Sequence, residues 1–283
     1  MPLLTLTDNR PAARVAVDLA HKIQAAPARL QEVSLEICSG IFVSPKPPYL
    51  VNRITRNLLA ERDAHSREIL KPYIDASDLQ AWRVQPRAVW IIDAYSQIDI
   101  QNYPAVYDYL LTFRPILEKR PSVKEHPWYE LSRFSPRLRG NMSFPKLLLP
   151  GYANSPRCAF DENGFYADHD LFMVLPDQEK VLPRFVQGVL GSKTAWFYIR
   201  HTSSMLAVAY FRLTRRQLMD FPFPQPGKAE QEAISTLVEK LAAPVCVDRF
   251  HLEAELNQRV ASLYGIQTAD EFRLLEGLPP IGG

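Results

Sequence analysis

Cysteine is scarce in this chain, and glycine-rich turns and long apolar runs are missing from it. Three cysteines, Cys38, Cys158 and Cys246, stand far apart among 283 residues. An odd number without a CxxC spacing gives neither a disulfide framework nor a zinc site, and suits a reducing cytoplasm. Cys38 in LEICSGI and Cys246 in APVCV have the apolar neighbours of small buried hydrophobes. No window approaches 18 uncharged apolar residues, and MPLLTLTDNRPAA lacks the basic start and apolar core of a signal peptide. We therefore expect neither export nor a membrane span.

Catalytic signatures are missing as well. A dinucleotide or S-adenosylmethionine site needs a glycine-rich turn between strand and helix; Gly40 stands alone, and Gly188 and Gly191 lie in helical sequence. There is no Walker A lysine loop and no GxSxG elbow. The histidines His126, His169 and His201 are widely separated, and Asp161, Glu162, Asp168 and Asp170 surround a turn without EF-hand offsets. Asp168 and Asp170 read as a solvated pair. PPY at 47–49 reads as a proline-rich loop that packs Tyr49, not as a catalytic loop. The chain alone is expected to be non-catalytic, with no cofactor or metal of its own.

What is abundant is proline: 24 residues, roughly 8% against a usual ~5%. That predicts short elements and many turns. Val15, Leu19 and Ile23 recur at helical spacing over 11–24, and 30–44 is strand-like around Gly40. SPKPPYLVN reads as a loop, and 67–95 as a short helix, a turn and a strand on 88–92. Pro104 opens a helix carrying Val106, Leu110, Phe113 and Leu117, which Pro115 kinks or ends. Strands follow in FPKLLLPG, CAFDEN, GFYADH and LFMVLP, with DENG predicting a hairpin that joins 158–160 to 165–167. Residues 180–202 read as one or two helices with close approach or a break at Gly188 and Gly191, and 228–265 as a helical hairpin broken near Pro244. The fold class is α+β, with mixed short-stranded sheets, peripheral helices and a C-terminal helical segment. The expected divisions are a helical arm over 1–29, a recognition domain over 30–226 and a helical segment over 227–283.

The near-neutral net charge of +2 conceals an asymmetry. Residues 112–157 carry nine basic and three acidic side chains, while 1–111 carry twelve of each. A local excess of that size is a footprint for phosphate approach, though solvated charge clusters share it. In HPWYELSRFSPRLRGNMSFPKLLLPG the spacing of Arg133, Arg137 and Arg139, with Lys146 beyond, can spread cations along a phosphate backbone. Lys124, His126 and Arg157 are secondary candidates, whereas Arg114, Lys119 and Arg120 read as solvent-facing helix charges. Trp128 and Tyr129 suit stacking or core packing equally.

The order of blocks then resembles a family. EVSLEICSGIFV, ILKPYIDASDLQAW, HPWYELSR, PKLLLPGYANSPRCAFDENGFYADHDLFMV, FVQGVLGSKTAWFYIRHTS and RLTRRQLMDFPFP are similar to the C-terminal target-recognition region, the TaqI-like specificity domain, of adenine-N6 DNA methyltransferases in restriction-modification and phage-defence systems. The resemblance covers most of 30–265. It implies sequence-specific binding of double-stranded DNA. It also implies a fused or separate methyltransferase catalytic domain that supplies S-adenosylmethionine chemistry, so the chain is either an excised domain or a separate specificity component. Where the family has a glycine-asparagine-phenylalanine stretch, this chain has SPKPPYLVN. The rival expectation is a non-catalytic interaction subunit that docks a methylase or nuclease through its aromatic residues.

Overall fold

A strand with one wet face alternates apolar and polar residues, whereas one covered on both faces reads as continuous apolar sequence. KLLLP is of the second kind. The computed structural model describes residues 11–131, 135–207 and 210–282, and in it every residue of strand Lys146–Pro150 is buried. The strand lies inside an antiparallel sheet ordered Ser34–Ser39, Leu171–Pro176, Lys146–Pro150, Ala159–Asp161. Its side chains divide between two cores. Leu147, Leu149 and Val174 face one hydrophobic cluster, and Leu148, Leu171 and Met173 face the other.

The first cluster is built on helices. Pro183–Gly191 and Lys193–Thr202 cover the sheet and are backed by Lys228–Ala242, Arg249–Leu263, Ala269–Glu276 and the first helix, Pro11–Gln24. Gly188 and Gly191 allow this packing. A Cβ at Gly188 would lie 2.7 Å from Ile234 Cγ2, and one at Gly191 would lie 2.5 Å from the Trp82 ring. The Gln187 amide, fully buried, donates to the carbonyls of Trp82 (2.7 Å) and Cys158 (2.8 Å) and ties two loops to the helix. Leu19, Trp82, Phe185 and Val260 share this cluster, so all three expected divisions contribute to one core.

The second cluster lies under a mixed sheet ordered Leu50–Asn52, Val89–Ile92, Leu70–Ile74, Tyr166–Ala167, in which the last pairing is parallel. Helices Arg53–Arg62 and Pro104–Leu111 flank it. The two sheets meet at Gly40. Ile41 N donates to Ala167 O at 2.8 Å, and a Cβ on Gly40 would lie 2.2 Å from that same oxygen.

The α+β class holds, and so do the helices at 11–24 and 104–117, the break after Gly191 and the C-terminal hairpin. Three local expectations are corrected. SPKPPYLVN contains a short helix, Lys46–Tyr49, and an edge strand, Leu50–Asn52, because its prolines all precede the residues that pair. Strand Leu70–Ile74 replaces part of the expected helix and turn. The DENG turn does form, with Gly164 at φ +71°, yet it closes no hairpin. Ala159–Asp161 joins the central sheet and Tyr166–Ala167 the mixed one.

Candidate nucleic-acid interface

The basic segment centres on helix Pro136–Ser143, which Ser135 caps by accepting from Leu138 N. It lies along strand Ser34–Ser39. Residues four apart on a helix and two apart on a strand share a face, so two contacts repeat in step. Arg137 pairs with Glu36, and Asn141 donates to Cys38 Sγ at 3.7 Å. The Arg137 side chain is 78% exposed. Glu36 is also held by Arg215, whose Nη2 lies 3.4 Å from its second oxygen while Nε donates to Ile37 O at 2.6 Å. Two guanidinium groups on one carboxylate leave a net positive charge in a fixed position.

Arg139 turns the other way. Its Nε donates to Asp93 Oδ2 at 2.9 Å, and its guanidinium carbon stands 3.9 Å from the centroid of the Tyr95 ring. Asp93 is fully buried; burial pushes its carboxyl up, against the opposing pull of Arg139 and Tyr166.

The expected DNA contact at Lys146 is overturned. The side chain has no exposed surface, and Nζ is 2.6 Å from both Asp161 Oδ2 and Met142 O. Burial lowers its pKa, opposed by the Asp161 carboxylate. Asp161 in turn accepts from Asn163 N and Phe165 N, so the lysine closes the turn that the sequence marked.

Other candidates scatter. Lys124 is exposed at the end of a 3-10 turn, Pro121–Lys124. His126 Nδ1 sits 3.7 Å from the buried Glu130 carboxylate, and half-buried Arg157 donates to Asn154. Trp128 and Tyr129 pack edge to face at 5.6 Å against the second core, with the Arg114 guanidinium over the Trp128 ring. Both therefore take the packing role. Arg120 is not a free helix charge, since it donates to the carbonyls of Leu117, Trp128 and Glu130. Arg133 lies outside the described residues.

Tyr49 is buried as expected, its hydroxyl donating to the carbonyls of Tyr129 and Glu130, and burial pushes its pKa up to about 12. Asp168 is not solvated. It accepts from Tyr73 and pairs with Lys46 at 2.8 Å, and those bonds outweigh burial and lower its pKa. Although Asp168, His169 and Asp170 converge within 4.8 Å, the Lys46 ammonium already occupies the inner carboxylate. The open sides of Gly188 and Gly191 are filled by Ile234 and Trp82, so neither glycine backs a nucleotide cradle, and the residues present do not fit S-adenosylmethionine.

The sequence reading missed a second group of residues. Arg212 is exposed and pairs across strands with Tyr152, and Tyr152 and Tyr210 are each 45% exposed. Arg215 follows behind a Thr214 capping box. The run RLTRRQ carried the signal. Its arginines were diluted by the acidic surplus of the residues around them.

The described residues thus form a small-sheet α+β unit that exposes arginines near tyrosines. A family model described as the TaqI-like C-terminal specificity domain matches residues 71–223, and the chain belongs to that family of restriction-modification specificity domains. It is similar to the Type II methyltransferase M.BstVI of Geobacillus stearothermophilus, with 21% identity over 180 residues, covering 61% of this chain and 31% of that protein. It is also similar to M.BanIII of Aneurinibacillus aneurinilyticus, with 24% identity over 179 residues, covering 60% and 30%. The matched part is thus under a third of these relatives' length. Among solved structures it resembles the Type IIL restriction-modification enzyme MmeI in complex with DNA, with a TM-score of 0.59 and 13% identity, covering 88% of this chain and 35% of that one. At that identity the likeness is one of fold. No helix among the described residues is long and apolar enough to cross a membrane.

Proposed function

We propose that the chain binds duplex DNA sequence-specifically as the target-recognition part of an adenine-N6 DNA methyltransferase or restriction-modification enzyme, without catalysis of its own. The match of residues 71–223 to the specificity-domain family carries this reading. In it, methyl transfer from S-adenosylmethionine belongs to a methyltransferase catalytic domain, fused or separate. The division at 30–226 marks the unit that meets DNA, while the flanking helices complete its core.

Within that unit the Glu36-bridged pair Arg137 and Arg215 is the phosphate contact we favour, with Arg212, Tyr152 and Tyr210 adjoining and Lys124, Arg157 and His126 secondary. Each phosphate neutralised on B-DNA steepens the plot of log K against log salt by about 0.9. The double variant Arg137→Ala, Arg215→Ala should flatten that slope by about two contacts. Because it leaves the largely buried Glu36 carboxylate without a cation, it should also lower the thermal midpoint, so binding is compared where each protein is fully folded. A slope identical to wild type would remove the pair from the interface.

One observation favours a second reading, docking to a methylase or nuclease. Val245, Val247 and Phe250 are each 80% exposed, and Phe250 lines a groove of about 600 Å³ together with Phe272, Leu275 and Ile281. The same salt titration separates the two, because docking alone gives no salt-dependent affinity for duplex.

A further inference from the structure

We propose that Arg139 is a specificity-determining residue that reads a guanine, with Asp93 and Tyr95 as its positioning residues. This rests on the duplex-DNA reading above and asks which side chain chooses a base.

A phosphate contact needs charge and reach. A base contact needs in addition a guanidinium held in one plane, since guanine presents O6 and N7 at fixed separation to a two-pronged donor. Arg137 meets the first requirement: it is 78% exposed, with a single carboxylate partner. Arg139 meets the second. At 3.9 Å from the Tyr95 centroid its guanidinium carbon lies over the ring, and the Nε bond to Asp93 adds a second, directional restraint. With Nε on Asp93 and the guanidinium also hydrogen-bonded to the buried Tyr166 hydroxyl, the inner edge of the group is engaged. The outer edge, with 38% of the side chain open to solvent, supplies the fork.

The supports are themselves braced, as a recognition site requires. Asp93 Oδ2 also accepts from the Tyr166 hydroxyl at 2.9 Å. Tyr95 lies on the loop after strand Val89–Ile92, where Ala94 O accepts from Leu131 N at 2.7 Å. In the same loop Gln97, at φ +68°, donates its N–H to the buried Glu130 carboxylate at 2.8 Å. A left-handed residue pinned by a buried acid costs stability that a plain surface loop would not incur. Asp93 carries a cost of its own, for its Oδ1 is buried without a hydrogen-bond partner among the described residues. Stability alone is a poor reason to keep such a pair, since an apolar pair of similar volume often does as well. Orientation of the arginine fork accounts for it.

The test is selection of the full 283-residue chain against a randomised duplex pool, followed by sequencing of the bound fraction. Wild type should enrich a motif containing at least one G·C position. Arg139→Lys should lose discrimination at one such position by about 5- to 150-fold, the range expected for one bidentate pair, with the other positions and the salt slope retained. Tyr95→Leu, which leaves the ion pair intact, should weaken preference at that same position by a smaller factor, and it decides the matter if Arg139→Lys fails to fold. A wild-type motif kept base for base in the variants, or one without a G·C position, overturns this proposal and leaves DNA binding standing. Absence of duplex binding by the wild type overturns both.

Discussion

Lys146→Met separates a buried fastener from a DNA contact. Methionine has nearly the volume of lysine, so the substitution opens little cavity, and its effect comes from charge. It leaves the Asp161 carboxylate, which has no exposed surface, without its cation, and it leaves Met142 O without a donor. Removing one partner of a buried pair costs about 3–5 kcal/mol. Asp161 keeps two backbone N–H donors, which places the expected loss near the lower end, about 3 kcal/mol. Adding Asp161→Asn removes the stranded charge and should return about 1–2 kcal/mol of it. Urea unfolding followed by circular dichroism measures both, provided the m-value is unchanged. Duplex binding, measured where each variant is fully folded, should keep the wild-type salt slope. A Lys146→Met protein with an unmoved midpoint and a slope flatter by one contact would refute the reasoning and return Lys146 to the interface.

Two further results are expected. Gly40→Ala should destabilise by about 3 kcal/mol or more in the same assay, because its Cβ meets backbone oxygens of Ala167 and Asp168 at 2.2 and 2.3 Å, whereas Gly140→Ala, with nothing within 4 Å in a helix, should stabilise by about 0.5–1 kcal/mol. Equal effects of the two would contradict the sheet junction at Gly40. Burial pushes the Glu271 carboxyl up, but Lys22 and the N–H groups of Thr268 and Gln267 outweigh it and hold its pKa at about 2 instead of 4.5. A depressed carboxylate stabilises the fold above its unfolded pKa and loses that contribution as pH falls. Glu271→Gln should therefore cost up to about 3 kcal/mol at pH 6 and almost nothing near pH 2. A cost independent of pH across that range would show that the pair with Lys22 contributes nothing.

Local periodicity and proline position made much of the fold legible. Pro104 at the first turn, Val106 and Leu110 on the inner face, and Pro115 opening the next short helix all stand where the spacing puts them. Choice of partner was not legible. DENG specifies a tight turn, but nothing within ten residues says that its two flanks join different sheets. Strand Leu70–Ile74 was hidden by Pro72, which it tolerates because the parallel neighbour pairs only with Tyr73 and Ile74. At the site, Lys146 looked like a cation after a basic loop, and the burial of its strand on both faces depends on distant sequence, the helices from residue 183 onward on one side and the second cluster on the other.

The charge asymmetry shows why counting by segment misplaces an electrostatic footprint. Residues 112–157 carry the surplus, yet the acids that neutralise it come from outside: Glu36 and Asp93 from the balanced first segment, and Asp161 from the acidic last one. A segment that lends a carboxylate gains a net cation. The first segment lends two and takes two from the acidic last segment, Asp168 for Lys46 and Glu271 for Lys22, so its balance is unchanged. Among the described residues its Arg53 and Arg56, on the helix after Asn52, make no ion pair. Arg215 and Arg212 stand close to Glu36 and Tyr152 although their own segment is acidic by count. Pairing in three dimensions therefore moves positive potential away from the basic run toward its neighbours in the fold. A surface that meets phosphates is defined by the cations left over after the buried acids are matched, and under the proposed DNA reading that condition favours the exposed pair Arg137 and Arg215 over the buried Lys146.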